Sequence, residues 1–152
     1  MKLAIAADHA GFPLKEHLVE YLRGQGHEVV DLGVDTDAVP ADYPDIAELV
    51  AAKVLDGSVE RGILAYGSGV GVSVAANKIP GIYCAITHDT YSAHQGVEHD
   101  KMNVMCIGAR VVGPALANDL VDAFIKAQFT NEERHVRRFG KVQTIEQRYQ
   151  NS

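Results

Sequence analysis

The sequence predicts one α/β domain, residues 1–152, with a Rossmann-like doubly wound sheet of five parallel strands and a C-terminal helix. Short apolar runs alternate with longer amphipathic segments along the chain, which is the pattern of repeated strand–helix units. The apolar runs lack polar alternation, as strands do when helices cover both faces of their sheet. A length of 152 residues matches a single domain with one sizeable core.

The five predicted strands are short apolar runs, each followed by a polar or glycine-containing segment. They are KLAIAA (2–7), HEVVDLG (27–33), RGILAYG (61–67), GIYCAIT (81–87) and NVMCIGARVV (103–112). Because an amphipathic segment separates each run from the next, the strands are expected to lie parallel to one another.

The amphipathic segments between the strands predict helices. The first, residues 13–26, begins with Pro13 at a favoured first position and places its leucines on one face. A loop rich in Asp and Pro is expected over residues 35–45. The other helices are expected over residues 44–55, from Val70 onward, over 114–129 and over 131–149, while residues 88–99 fit a helix or a loop.

Charge and composition exclude several classes of partner. The formal net charge of −6 disfavours nucleic acid and anionic membranes, and no apolar run approaches the roughly 18 residues of a membrane span. The N-terminus is too short and too soon acidic for a secretion signal, so a cytoplasmic location is expected. Cys84 and Cys106 lie in predicted strands without metal-ligand spacing and are expected to be buried thiols.

Polar residues follow the first two strands at the end of the sheet where ligands bind in doubly wound folds. Asp8 and His9 could exchange protons or bind an oxyanion there, although from these residues alone a capping Asp8 beside an exposed His9 is the favoured explanation. Later in the chain, Asp42 is best explained as a helix cap, and Tyr43 is placed to close over a ligand.

The segment GSGVG follows the third strand and predicts an anion cradle. Its glycines let the backbone approach a negatively charged group, and Ser68 can donate to a developing oxyanion. The spacing matches neither a dinucleotide fingerprint nor a P-loop. The residues of this predicted cradle are Gly67, Ser68, Gly69, Val70 and Gly71.

Histidines and arginines follow the last two strands and lie in the C-terminal helix. His88, His94 and His99 have irregular spacing, so one catalytic histidine is favoured over a metal site, and no metal is expected.

Arg110 follows strand five. Arg134 and Arg138 are four residues apart and share a helix face, which suits a phosphate or carboxylate, with pairing to neighbouring glutamates as the alternative. The combination predicts proton transfer on a small phosphorylated substrate.

The motifs identify a family resemblance. In chain order they are DHAG, DYPD, GSGVGVSVAANKIPGI, HDTYSA, EHDKMNVMCIGARVVG and RHVRR, and they extend over residues 8–138. This combination resembles the type B ribose-5-phosphate isomerases and the wider group that includes galactose-6-phosphate and allose-6-phosphate isomerases. The resemblance implies aldose–ketose isomerisation of a sugar phosphate through a cis-enediolate, without metal or cofactor.

The same resemblance implies a role for each site residue. His99 would act as general acid and base on the ring oxygen, reaching the site from a second subunit. A homodimer with shared active sites is therefore expected, with a tetramer as the alternative. Asp8 and His9 would contact sugar hydroxyls and the phosphate end, residues 67–71 would form the anion hole, and Arg110, Arg134 and Arg138 would clamp the phosphate.

Two departures from the family pattern affect the chemistry. Tyr66 stands where members usually carry a cysteine base, and Val72 stands where another branch has a glutamate. Asp100 replaces a frequent asparagine and adds negative charge. Since less than about 1% of a free phenol is ionised at neutral pH, three hypotheses stay open. They are an isomerase with another base (Tyr66, Asp100 or a further carboxylate), an isomerase of a different sugar phosphate, and a weakly active or non-catalytic sugar-phosphate-binding paralogue.

Overall fold

The predicted alternation of strands and helices is present in the computed structural model, which describes residues 1–33 and 42–150. In chain order the elements are β1 (Lys2–Ala7), α1 (Phe12–Gly24), β2 (Glu28–Gly33), α2 (Tyr43–Leu55), β3 (Arg61–Tyr66), α3 (Val70–Ala76), β4 (Cys84–Ile86), α4 (Thr90–Asp100), β5 (Val104–Gly108), α5 (Pro114–Lys126) and α6 (Glu133–Gln150). The strands form one parallel sheet in the order β2-β1-β3-β5-β4. The predicted fold class is confirmed.

Helices cover both faces of the sheet, and successive strand residues alternate between two apolar layers. Leu3 and Ile5 pack with α1, α4 and α5 on one face. Ala4, Leu64 and Tyr66 pack with α2 and α3 on the other face. This two-sided burial explains why the strands show no polar alternation.

The strand order reverses between β1 and β3, which lie side by side in the centre of the sheet. Ala7 is paired with Ala65 at their carboxyl ends, so Asp8 and Tyr66 are the next residues on neighbouring strands. The chain leaves β1 toward α1 on one face and leaves β3 toward α3 on the other. A crevice between two such connections is the usual ligand site of this fold class.

Several predicted boundaries differ from those of the structure. Residues 88–99, which fitted either a helix or a loop, mostly belong to helix α4. Asp89 caps the start of this helix, where its side chain accepts a hydrogen bond from the Ser92 N–H at 2.7 Å. Strand β5 ends at Gly108, because the Val111 and Val112 N–H groups both bond back to its carbonyl in a turn. Of the loop expected over residues 35–45, residues 35–41 lie outside the described residues.

The two cysteines lie on neighbouring strands as free thiols, with Cys106 buried in β5 and Cys84 partly exposed in β4. Their sulfur atoms are 3.1 Å apart.

Among residues 1–33 and 42–150, no helix combines the length and the apolar composition needed to traverse a bilayer.

Candidate active site

A cavity of about 220 Å³ opens where the strand order reverses. We call it the switch-point cavity and define it by its lining residues Asp8, Tyr43, Tyr66, Gly67, Ser68, Gly69, Gly71 and Val72. A larger groove of about 480 Å³ lies beside α6. The smaller cavity is the better candidate because it lies at the carboxyl ends of the central strands and because a carboxylate and hydroxyl groups converge in it.

The turn after β1 fixes the Asp8 carboxylate at the cavity wall. Asp8 Oδ1 accepts a hydrogen bond from the Gly11 N–H at 2.8 Å. The turn lies directly against β3. The packing is so close that a Cβ at Gly11 would come within 1.8 Å of the Ala65 carbonyl oxygen. Asp8 therefore caps the turn and also lines the cavity, whereas the His9 side chain is exposed and does not line it.

The predicted cradle forms the floor of the cavity. Gly69 has a φ of 85°, a left-handed conformation that favours glycine. Ser68 Oγ accepts a hydrogen bond from the Val70 N–H at 3.2 Å, which leaves the hydroxyl proton of Ser68 for a ligand. The Tyr43 ring covers Gly71 from the start of α2. Val70 is 54% exposed and does not line the cavity.

Tyr66 is a buried residue of the α2–α3 layer rather than an exposed reactive group. Only 4% of it is exposed, and its hydroxyl has no hydrogen-bond partner among the described residues. Burial raises the pKa of the Tyr66 phenol well above its ordinary value, and the negative charge of Asp8 raises it further. A buried hydroxyl without a partner costs about 1–3 kcal/mol. The phenol of this lining residue is therefore neutral, and its O–H has no acceptor among the described residues.

Arg110 passes beside the cradle. Its backbone N–H donates to the Gly67 carbonyl at 3.0 Å, and its Nε would be 3.9 Å from a Cβ at Gly67. The side chain is exposed. An exposed guanidinium next to the cavity can bind an anionic group of a ligand that extends outward.

The remaining predicted site residues lie elsewhere in the protomer. We define the α4–α6 patch as His99, Arg134, His135 and Arg138. The His99 and His135 rings are stacked, with their centroids 3.9 Å apart and an angle of 26° between their planes. Among the described residues, none of the patch lines the switch-point cavity. Asp100 lines a separate cavity of about 320 Å³ with Tyr83, Cys84 and Met102.

A hydrogen bond sets the tautomer of the neutral His99 ring. The Gln95 amide nitrogen lies 2.7 Å from His99 Nδ1. Because an amide nitrogen only donates, Nδ1 accepts and the ring proton of neutral His99 is on Nε2. Nε2 is therefore the atom that can give a proton to an oxygen of a ligand.

His135 stacks on the His99 ring, and the sequence did not indicate it as a site residue. It is 3% exposed, and its Nδ1 lies 2.6 Å from Thr130 Oγ1. Burial lowers the pKa of His135, and His99 and Arg134 lower it further. The available signal was its spacing of four residues from Phe139, which places both on the buried face of α6.

The two arginines of the patch differ in their contacts. Arg134 Nε donates to Glu132 Oε2 at 3.1 Å, as the glutamate-pairing alternative predicted. Arg138 is exposed one turn further along α6.

Among the described residues, no group of three or more His, Cys, Asp or Glu side chains is placed to hold a metal ion. His88 Nε2 instead accepts from the Gly108 N–H at 2.9 Å, and His94 Nδ1 lies 2.7 Å from Glu98.

Comparisons with known proteins agree on one family. The family model described as Ribose/Galactose Isomerase matches residues 3–142. A relative from Escherichia coli, ribose-5-phosphate isomerase B, is 43% identical over 97% of this chain and 97% of its own length. A D-erythrulose-4-phosphate isomerase from Pectobacterium atrosepticum is 40% identical over 85% of each chain. The structure of ribose-5-phosphate isomerase B from Clostridium thermocellum matches with a TM-score of 0.93 and 42% identity, covering 98% of this chain and 99% of that one.

Proposed function

The chain belongs to the ribose/galactose isomerase family, and from this premise we propose that it interconverts ribose 5-phosphate and ribulose 5-phosphate. The observation that carries the proposal is the switch-point cavity, whose lining includes Asp8, Tyr66 and Ser68. Aldose–ketose isomerisation needs a base that moves a proton between adjacent carbons and donors that stabilise the enediolate oxygen. The cavity contains both kinds of group.

The phosphate of the substrate is proposed to bind outside the cavity, between Arg110 and the arginines Arg134 and Arg138. Arg110 and Arg138 are exposed, and Arg110 lies beside the cradle. Guanidinium groups match phosphate oxygens in geometry and charge. The sugar would then extend inward toward residues 67–71, with Asp8 and Tyr43 along its hydroxyls and the exposed His9 toward its phosphate end.

Ring opening is assigned to His99, whose Nε2 carries the proton of the neutral ring. The α4–α6 patch and the switch-point cavity share no lining residue within the described part of one protomer. We therefore propose a homodimer in which His99, Asp100, Arg134 and Arg138 of one copy complete the cavity of the other. A tetramer built from two such dimers is the alternative assembly. The reaction is proposed to need no metal or cofactor and to take place in the cytoplasm.

The test is isomerase activity of the full-length protein in the presence of a metal chelator. Ribulose 5-phosphate in deuterium oxide is followed by NMR for conversion to ribose 5-phosphate and for exchange of its C1 protons. We expect both, faster than in protein-free solution. The proposal is overturned if neither occurs with this substrate. D-erythrulose 4-phosphate and the 6-phosphates of allose and galactose are run in parallel to establish which sugar phosphate is preferred.

A further inference from the structure

The cavity contains one group suited to act as the base, and it is not the residue at the cysteine position. Of the eight lining residues, Asp8 alone has a carboxylate, and the other titratable side chains are Tyr43 and Tyr66. Val72 contributes an apolar wall and is 1% exposed. Asp100 lines a different cavity of the same chain, so it would reach this one only from a second copy. Carbon deprotonation at neutral pH requires a group that is ionised before the substrate arrives.

Backbone pairing holds Asp8 next to Tyr66. The register Ala7–Ala65 places the two residues at the same level on neighbouring strands. One oxygen of the Asp8 carboxylate is fixed by the Gly11 N–H at 2.8 Å, and Gly11 is its only hydrogen-bond partner among the described residues. The second oxygen, Oδ2, is therefore available to a ligand in the cavity.

Tyr66 has the complementary property. Tyr66 lines the cavity, and its hydroxyl is buried and has no partner among the described residues, including Asp8. Such a group is satisfied by a ligand oxygen placed between it and the carboxylate. A neutral phenol fixed by its surroundings donates to a developing oxyanion without reorganising.

We propose that Asp8 is the catalytic base of this chain and that Tyr66 is a neutral hydrogen-bond donor to the enediolate. This inference rests on the proposed function. Asp8 Oδ2 takes the C2 proton of the open-chain aldose, the C–H electron pair forms the C1–C2 double bond, and the carbonyl electrons move to O1. Tyr66 and Ser68 donate to O1. A proton then moves from the O2 hydroxyl to O1, and protonated Asp8 returns its proton to C1, which yields the ketose.

The test compares substitutions that change one property each. Asp8→Asn removes the base but keeps an oxygen that accepts from the Gly11 N–H, and Tyr66→Phe removes only the hydroxyl. For exchange of the ribulose 5-phosphate C1 protons, we expect a loss of about 10³-fold in Asp8→Asn and about 10²-fold in Tyr66→Phe. Affinity for ribose 5-phosphate, measured by phosphorus NMR titration, should stay within the same order of magnitude. Asp119→Asn, an exposed carboxylate on α5, is the matched control and should exchange at the unchanged rate.

Two further variants make the outcome unambiguous. Asp8→Glu retains a carboxylate, so it should exchange faster than Asp8→Asn. If Asp8→Asn does not fold, Asp8→Ser takes its place, because it removes the carboxylate and keeps an oxygen for the Gly11 N–H. Asp100→Asn tests the other acidic candidate and should exchange faster than Asp8→Asn.

The inference is overturned if Asp8→Asn exchanges within tenfold of the unsubstituted chain. It is also overturned if Tyr66→Phe or Asp100→Asn falls to the protein-free rate while Asp8→Asn stays active. If the unsubstituted chain catalyses exchange in these cases, the proposed function survives and only the assignment of the base fails. If that chain catalyses no exchange, both fail together.

Discussion

The switch-point cavity and the α4–α6 patch are built on different parts of the fold. The cavity takes its polar groups from the ends of paired strands, so Asp8 and Tyr66 are held by the sheet itself. The patch takes its groups from two helices, through a stack of imidazole rings and exposed arginines. In the proposed reaction, the first region would supply a base and oxyanion donors, and the second would supply an acid and phosphate-binding cations. Each region therefore carries a different step of the proposed reaction.

The strongest expected contrast between the regions comes from His99→Ala. Ribose 5-phosphate must open its ring before reacting, whereas ribulose 5-phosphate has its C5 oxygen blocked by phosphate and does not form a furanose. We expect conversion of ribose 5-phosphate to fall by about 10²–10⁴-fold, because the general acid is lost. Exchange of the ribulose 5-phosphate C1 protons should fall far less. Equal losses in the two assays would contradict the division of roles.

The next effect concerns phosphate binding by the patch. Arg138→Ala removes a charge-assisted contact to the substrate, so we expect KM for ribulose 5-phosphate to rise about 10–100-fold. Arg137→Ala is the matched control on the same helix, because Arg137 is exposed and pairs with Glu133 at 2.8 Å. Steady-state kinetics at one ionic strength measures both variants. A similar KM for the two variants would remove Arg138 from the phosphate site.

A smaller effect is expected on the stability of the folded chain, because the cavity contains a buried polar group that lowers it. Tyr66→Phe removes a buried hydroxyl that has no partner in the described part of the chain. The free energy of unfolding without substrate should therefore rise by about 1 kcal/mol, while the exchange rate falls. Urea denaturation followed by circular dichroism measures the change. A clear loss of stability would show that the hydroxyl has a partner in the protein.

The smallest effect is a dependence of stability on pH that originates in the patch. Burial lowers the pKa of His135 in the folded state, and His99 and Arg134 lower it further. Below about pH 6.5 the unfolded chain binds a proton that the folded chain does not, so stability should fall as pH decreases through that range. His135→Phe should make the profile flatter between pH 7 and pH 5. An unchanged slope in thermal unfolding would indicate that another group titrates.

The sequence was sufficient to predict the sheet and the groups that follow its strands. Asp8 and the GSGVG segment come at the ends of apolar runs, Tyr66 is the last side chain of its run, and ligand sites of this fold class lie at that edge. The family resemblance is confirmed by a family model matching residues 3–142. Apolar patterning could not separate a helix from a loop over residues 88–99, because the capping bond at Asp89 involves few residues.

The orientation of side chains was harder to predict than their position. Tyr66 ends its strand, and a residue there can face either the solvent or a helix layer. Period-two alternation places Tyr66 with Leu64 in the α2–α3 layer, which removes the phenol from solvent. The stack of His99 on His135 joins residues 36 positions apart on two helices. That contact depends on how α4 and α6 pack, which local spacing does not specify.

In the proposed dimer, each active site combines the switch-point cavity of one copy with the α4–α6 patch of the other. Separately purified Asp8→Asn and His99→Ala proteins, both expected to be nearly inactive on ribose 5-phosphate, are mixed in equal amounts under conditions that allow subunit exchange. Random reassortment makes half of the dimers mixed, and each mixed dimer has one site with both residues intact. We expect recovery of about 25% of the unsubstituted activity. Subunit exchange verified by mass spectrometry without any recovery would contradict it.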